Sequence, residues 1–120
     1  KPVPVLEPNL IYFNWNLASE LGLELESFTR KDLAEIFSGN KIIEDSNPIA
    51  LVYAGHQFGQ FVPELGDGRA IVLGEAIDKN GIRRDIQLKG SGKTPYSRRG
   101  DGRAALGPMI REYILSEAMH

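Results

Sequence analysis

The sequence predicts an α+β fold, with helices at both ends and antiparallel strands between them. Residues 9–40 carry apolar side chains at helical spacing followed by glycine, residues 48–90 are rich in valine, isoleucine and glycine, and residues 104–120 return to helical spacing. The chain has 120 residues, of which 42% are hydrophobic and 25% are charged. This is enough for one small folded domain, and the composition is not that of a disordered chain.

Two short helices are predicted near the start, after an extended segment with three prolines in its first eight residues. The first lies in "NLIYFNWNLASELGLE", where Asn14 or Asn16 can serve as the N-cap and Gly22 fits the C-terminal stop. The second lies in "SFTRKDLAEIFSGN". It has three apolar residues at helical spacing and a glycine after them: Leu33, Ile36, Phe37 and Gly39.

The composition changes near Pro48, which predicts a helical extension over residues 1–47 and a second part over residues 48–120. In the second part, "RAIVLGEAI" and "RRDIQLKG" are predicted to form two paired strands. The residues between them, "DKNG", are predicted to form a tight hairpin turn, because Asn-Gly tolerates the positive φ that such turns need.

The preceding stretch, "YAGHQFGQFVPELGDG", is predicted to be a strand or loop interrupted by glycines. Its aromatic residues, Tyr53, Phe58 and Phe61, are expected in the core rather than as stacking platforms for a ligand. We expect His56 to make hydrogen bonds that fix a bend, because no carboxylate cluster at ligand spacing lies near it and zinc binding is disfavoured.

The last residues, "AALGPMIREYILSEAMH", are predicted to be a helix that tolerates Pro108 in its first turn. One apolar face is expected to consist of Leu106, Ile110, Tyr113, Ile114 and Ala118.

Composition excludes several classes of function. The chain has no cysteine, so it has no disulfide and no thiolate metal site. The net charge of −2 argues against a general nucleic-acid binder, and the apolar runs are too short to span a bilayer. The chain begins with Lys1 and stops within an apolar periodic pattern, so we expect it to be a fragment of a longer protein.

The segment "QLKGSGKTPYSRRGDGRA" concentrates positive charge, with five cations and one carboxylate in 18 residues. A local cationic site on an acidic chain predicts a small anionic ligand. The run "GSGKT" does not predict a phosphate-binding P-loop. The position of the first glycine of that motif is taken by Gln87, and Pro95 and a basic loop follow where the motif needs a helix.

The tetrapeptide "GDGR" occurs twice, at residues 66–69 and 100–103. Its glycines allow backbone N–H groups to approach an anion, and its arginine offers two parallel hydrogen bonds to a phosphate. The second copy comes just before the last helix, whose N-terminus adds partial positive charge. The alternative is that both copies are turns with solvated arginines.

Lys89 ends the second predicted strand, and Glu112 lies in the helix that follows. In the N-lobe of protein kinases, a strand lysine that contacts nucleotide phosphates is held by a helix glutamate, and the order of elements here is the same. Glu117 and Glu64 are rival partners for the lysine. The other alternative is that Lys89 and Glu112 do not pair and are solvated groups on the surface.

Three segments together resemble the selenoprotein O family of protein-kinase-like proteins: "YAGHQFGQFVPELGDGRAIVLGE", "DIQLKGSGKTPYSRRGDGRAAL" and "IREYILSEAMH". The resemblance covers roughly residues 8–120. It implies a kinase-like N-lobe over residues 48–120, with an antiparallel sheet and an equivalent of helix C, and a C-lobe outside this chain. It also implies that the whole protein transfers AMP from ATP to Ser, Thr or Tyr hydroxyls of proteins.

The resemblance also implies roles for particular residues. Lys89 and Glu112 match the family's supporting ion pair, and no catalytic residue falls within this fragment. The residues that match nucleotide-contacting elements are Gly66, Gly68, Arg69, Lys89, Asp101 and Gly102. From composition alone, we further expect Lys93, Arg98 and Arg99 to hold phosphate charge in a loop that closes over the nucleotide.

The implied ligands are ATP and Mg²⁺ or Mn²⁺, with metal ligands expected outside these 120 residues, and the implied partners are protein substrates rather than nucleic acid or membrane. The resemblance implies a cytoplasmic protein in a bacterium or a mitochondrial one in a eukaryote, and no signal is visible in this sequence. The isolated fragment is predicted to be inactive. Two alternatives stay open: a conventional protein kinase, and a non-enzymatic module that binds nucleotide or polyanion.

Overall fold

The computed structural model describes all residues, 1–120, and confirms the α+β class. The elements in chain order are α1 (Trp15–Glu20), α2 (Arg30–Ser38), β1 (Gly55–Gln57), β2 (Gln60–Val62), β3 (Ala70–Ile77), β4 (Arg83–Lys89) and α3 (Leu106–Met119). The strands form two separate antiparallel pairs, β1 with β2 and β3 with β4. No helix is both long enough and apolar enough to cross a membrane.

The two predicted N-terminal helices are confirmed, and local capping explains their limits. The Asn14 side chain accepts a hydrogen bond from the Leu17 amide at 3.0 Å, so Asn14 rather than Asn16 caps α1. Helix α2 begins with a reciprocal capping box between Thr29 and Asp32. It ends at Gly39, whose φ of 85° needs a residue without a Cβ.

The central hairpin of β3 and β4 is also confirmed, with Ala70 paired to Lys89 at one end and Ile77 to Arg83 at the other. The turn is wider than the two-residue form that "NG" suggests, because the Asp78 amide donates to the Ile82 carbonyl and only Gly81 has a positive φ. The Asp78 carboxylate accepts hydrogen bonds from the Ile82 amide and the Arg84 side chain. These hydrogen bonds hold the pKa of Asp78 below its usual value.

The glycine-rich stretch before this hairpin forms β1 and β2, joined by a turn in which Phe58 and Gly59 both have positive φ. The expectation that its aromatic residues lie in the core was wrong, because this short hairpin pairs with no third strand. Phe58 is 91% exposed, and Phe61 and Tyr53 are exposed as well. The bend is not fixed by a hydrogen bond from His56, whose ring instead packs against Phe61 with centroids 5.4 Å apart.

The core joins α1 and α2 to the start of β3 and to β4. Its members are Ala18, Leu33, Ala34, Ile36, Ala70, Ile71, Val72, Leu73 and Leu88. The predicted helix α3 is present, but none of its 14 residues is buried. Leu106, Met109, Ile110 and Tyr113 line an apolar groove of about 440 Å³ together with residues 10–14. The predicted apolar face was therefore wrong for Ile114 and Ala118, because the chain covers α3 on the side of Met109 and Tyr113.

The extended N-terminal segment lies across the part of the chain that follows β4. The Val3 amide donates to the Ser91 carbonyl at 2.8 Å, and Arg103 donates to the Val3 carbonyl at 2.9 Å. Farther along, the Asn40 side chain exchanges two hydrogen bonds with the backbone of Val5. Residues 1–47 therefore contact residues 48–120 directly, and their division into two units stays a prediction.

Candidate functional site

A polar cleft of about 350 Å³ lies between the two "GDGR" segments. Gln57 belongs to β1, and Leu65 directly precedes the first copy. The other lining residues belong to the two copies and to the loop between β4 and α3. The lining residues are Gln57, Leu65, Gly66, Gly68, Arg69, Tyr96, Ser97, Arg98, Gly100, Asp101, Gly102 and Arg103. Five of the six residues predicted to contact nucleotide thus share one cleft, and their contact with nucleotide stays a prediction.

The loop after β4 is fastened to the first "GDGR" copy by two hydroxyl groups. Thr94 Oγ1 donates to the Asp67 carbonyl, and Ser97 Oγ donates to the Gly68 carbonyl. Tyr96 packs flat against Gly66, where a Cβ would overlap the aromatic ring. Gly66 has a φ of 64°, so both its space and its backbone conformation exclude a side chain. The loop is therefore a built wall of the cleft and, as predicted, not a P-loop, since the next helix begins only at Leu106.

The second "GDGR" copy is shaped differently from the first. Here the second glycine, Gly102, has the positive φ, 72°, whereas in the first copy it is the first glycine, Gly66. Gly102 is buried, and its carbonyl accepts a hydrogen bond of 3.3 Å from the Gly92 amide. A Cβ on Gly102 would overlap the Gly92 carbonyl. The close approach of these two glycine backbones fixes the position of Gly102, which lines the cleft.

Three arginines and one carboxylate line the cleft, and the arginines differ in their partners. Arg98 donates to the Gln57 side chain at 2.5 Å, which joins the basic loop to the β1–β2 hairpin. Arg103 donates to the Val3 carbonyl and thereby holds the N-terminal segment. The Arg69 guanidinium makes no hydrogen bond or ion pair with the protein. Arg69 is therefore the cation in this lining that is free to bind an anion.

Lys93, Arg98 and Arg99 were expected at one site, but only Arg98 lines the cleft. Arg99 does not line the cleft, and Lys93 lies in a different pocket beside Lys1 and Pro48. The turn at Thr94–Ser97 separates Lys93 from the arginines, because Thr94 turns inward to the Asp67 carbonyl while Lys93 stays exposed.

Lys89 and Glu112 form an ion pair beside the cleft, with 2.8 Å between Lys89 Nζ and Glu112 Oε2. The hydrogen bond from Lys89, assisted by the charges of Lys89 and Arg69, holds the pKa of Glu112 below its usual value. Arg69 lies beside the pair, because Ala70 is the partner of Lys89 in the hairpin and the Gly90 amide donates to the Arg69 carbonyl at 2.7 Å. Of the rival partners, Glu117 binds Asn14 at 3.0 Å, and Glu64 makes no hydrogen bond or ion pair with Lys89.

Sequence reasoning missed several features of this site. Gln57 and Ser97 carry no motif, and their positions depend on how separate loops pack together. A signal was available for Thr94, which precedes Pro95, since a Thr hydroxyl next to proline often binds nearby backbone groups in turns. The structural use of Arg103 had no local signal, because its partner lies 100 residues away.

The cleft has the chemistry expected of a site for phosphate groups. It combines a free guanidinium with glycine-rich backbone that lets an anion approach closely, and a lysine–glutamate pair lies beside it. The apolar groove along α3 lacks such groups, since 14 of its 15 lining residues are hydrophobic. No group of three or more His, Cys, Asp or Glu side chains is arranged to hold a metal ion.

A strand lysine paired with a helix glutamate, next to a glycine-rich cationic cleft, is the arrangement typical of the N-lobe of protein kinases. Comparison with known families is more specific. The family model described as protein adenylyltransferase SelO matches residues 3–120, and the chain belongs to that family. The resemblance to the selenoprotein O family is therefore confirmed.

Individual relatives are bacterial proteins named protein nucleotidyltransferase YdiU. The chain is 70% identical to the one from Rhizobium rhizogenes over 118 residues, which cover 98% of this chain and 23% of the relative. It is 68% identical to the one from Rhizobium meliloti over 120 residues, which cover 100% of this chain and 24% of the relative. The chain therefore spans about a quarter of the length of the curated relatives it matches.

Proposed function

We propose that this chain is the N-terminal, nucleotide-binding part of a protein adenylyltransferase that transfers AMP from ATP to Ser, Thr or Tyr hydroxyls of proteins. Membership of the SelO family and the names of the bacterial relatives support this reaction class. The observation that carries the assignment to this cleft is the free guanidinium of Arg69 beside the Lys89–Glu112 ion pair.

In this proposal the residues of the chain bind and orient the triphosphate. Arg69 donates to phosphate oxygens, and the backbone around Gly66 and Gly68 leaves room for them. Glu112 fixes the ammonium group of Lys89 by a hydrogen bond, so that Lys89 meets the phosphates with little loss of side-chain freedom. Asp101 also lines the cleft, where its side chain accepts a hydrogen bond from the Arg103 amide and shapes the second turn.

The reaction forms a bond between the hydroxyl oxygen and the α-phosphorus and breaks the bond from that phosphorus to the oxygen that leaves with pyrophosphate. Fixed positive charge near the phosphates stabilises the charge that develops on them. Mg²⁺ or Mn²⁺ bound with the nucleotide would neutralise further phosphate charge, and we expect its ligands outside these 120 residues. We also propose a cytoplasmic location, which rests on the bacterial origin of the relatives.

The test uses the full-length protein with ATP labelled at either the α- or the γ-phosphate, in the presence of Mg²⁺ or Mn²⁺. We expect protein-bound label only from the α-labelled ATP, and its loss in Lys89→Ala. Lys79→Ala is the matched control, because Lys79 binds Ser19 at 2.7 Å and is not part of the cleft. Label from γ-labelled ATP alone would instead identify a kinase.

Residues 1–120 alone are expected to transfer no AMP, and transfer by this fragment would contradict the proposal. A salt titration of ATP binding to the full-length protein distinguishes the proposed function from that of a polyanion-binding module. Binding that weakens steeply with salt and needs neither adenine nor a divalent metal would favour such a module.

A further inference from the structure

Helix α3 carries Glu112, yet the core does not hold this helix in place. None of its 14 residues is buried, and Glu112 itself is 47% exposed. Rotation of α3 about its axis would move Glu112 away from Lys89. Contacts elsewhere along α3 can therefore help to set the rotation at which the pair forms.

The polar contacts near the C-terminal end of α3 come from the N-terminal extension. Asn14 Nδ2 donates to Glu117 Oε1 at 3.0 Å and lies 3.5 Å from the Tyr113 hydroxyl. The rings of Tyr12 and Tyr113 also meet, with centroids 5.2 Å apart. The Tyr12 hydroxyl, burial and the charge of Glu117 together raise the pKa of Tyr113 to about 12.

Asn14 is fixed in its own position by helix α1. Its side-chain oxygen accepts a hydrogen bond from the Leu17 amide, so its amide nitrogen can point only toward α3. The side chain therefore connects the start of α1 to the side of α3.

Glu112 and Glu117, which accept hydrogen bonds from Lys89 and Asn14, lie on different sides of α3. Glu117 lies five positions after Glu112, which places the two about 140° apart around the helix and about 7.5 Å apart along its axis. A rotation of α3 about its axis would move both side chains and would break both contacts. The contact of Glu117 with Asn14 and the contact of Glu112 with Lys89 thus define one rotation of the helix.

We propose that Asn14 is a positioning residue that, through Glu117, holds α3 in the rotation at which Glu112 meets Lys89. Its effect on AMP transfer rests on the proposed function, whereas its effect on the ion pair does not. The extension over residues 1–47 would thereby act on the cleft without touching the nucleotide.

The experiment compares Asn14→Asp, Glu117→Gln and the double variant in the full-length protein. Aspartate keeps the oxygen that caps α1 but has no donor for Glu117 and repels it. Glutamine at residue 117 still accepts from Asn14. In the double variant, the glutamine amide donates to the new aspartate, so the contact is rebuilt with donor and acceptor exchanged.

The first readout is the acylation rate of the Lys89 amine, measured by mass spectrometry, which reports the ion pair whether or not the protein is active. We expect it to rise by about fivefold to tenfold in Asn14→Asp and to return to the wild-type value in the double variant, because a hydrogen-bonded ammonium is protected. The Lys79 amine serves as the internal reference. Asn16→Asp is the matched control, because the Asn16 side chain makes no hydrogen bond with the protein.

The second readout is the rate of AMP transfer. We expect kcat to fall by about tenfold in Asn14→Asp, with a smaller change in KM and an unchanged unfolding midpoint, and to recover in the double variant. An unchanged Lys89 acylation rate in Asn14→Asp, or no recovery in the double variant, would overturn the positioning role. A wild-type protein without AMP transfer would instead overturn the proposed function, and the acylation result would still decide the role of Asn14.

Discussion

Replacing Gly102 by alanine tests whether the close approach of Gly92 and Gly102 shapes the part of the cleft that Gly102 lines. The added Cβ would overlap the Gly92 carbonyl, and Gly102 has a φ of 72°, which residues with a side chain adopt with strain. The loops would have to separate, and the hydrogen bond from the Gly92 amide to the Gly102 carbonyl would break. The Gly102 turn lies between Asp101 and Arg103, so both would shift.

The cost can be worked out from these two effects. The left-handed conformation costs an alanine about 1–2 kcal/mol, and the lost hydrogen bond costs about 1 kcal/mol, for a total of about 2–3 kcal/mol. This energy acts locally, on the opening of residues 90–104. Amide exchange in that segment should therefore become about 30- to 150-fold faster.

The assay is hydrogen exchange of the full-length protein, followed by ATP titration of the same samples. Gly74→Ala is the matched control, because nothing lies within 4 Å of the position of its Cβ and its φ is not positive. The control should keep wild-type exchange and wild-type ATP affinity. Wild-type exchange over residues 90–104 in Gly102→Ala would refute the close approach, and faster exchange with unchanged ATP affinity would refute the cleft as the nucleotide site.

Two further predictions concern the ion pair and the core. Because its partner depresses the pKa of Glu112, the pair contributes stability above the ordinary pKa of 4.5, and this contribution is lost as the pH falls through the lower, folded-state pKa. Glu112→Gln should accordingly flatten the acid limb of a stability–pH curve, and an unchanged limb would show that Lys89 does not hold the carboxylate. Leu33→Ala should cost about 2–5 kcal/mol in chemical denaturation because Leu33 is 0% exposed, whereas Leu6→Ala, at a residue that is 101% exposed, should change stability by less than about 0.5 kcal/mol. Equal effects of the two leucine variants would contradict the assigned core.

Local chemistry explains which elements were predictable from the sequence. The capping box of α2 and its stop at Gly39 each depend on hydrogen bonds between residues three positions apart. The β3–β4 turn depends on Asp78 and Gly81, which are also three positions apart. These signals act before tertiary structure forms, so the sequence alone carries them.

The features that were not predicted depend on contacts between distant residues. Phe58 has the composition of a core residue, but its hairpin finds no neighbouring strand within these residues, so the ring stays exposed. Asn14 contacts Glu117 across 103 positions, and Arg103 contacts Val3 across 100. No periodicity or motif can indicate such pairs, because they are determined by how the extension docks on the rest of the chain. The pairing of Lys89 with Glu112 was anticipated only because the order of elements resembles that of protein kinases.

The two "GDGR" copies are identical in letters but are not a structural repeat. Their left-handed glycines occupy opposite places in the tetrapeptide, Gly66 in one and Gly102 in the other. Arg103 donates to the Val3 carbonyl, whereas the Arg69 guanidinium has no partner in the protein. Exchanging the copies would leave the sequence unchanged, so the difference between them is imposed entirely by their neighbours. Evolution can therefore modify one copy without a matching change in the other. The left-handed conformation restricts substitution at the first glycine of the first copy, Gly66, and at the second glycine of the second copy, Gly102. It imposes no such restriction at Gly68 or Gly100.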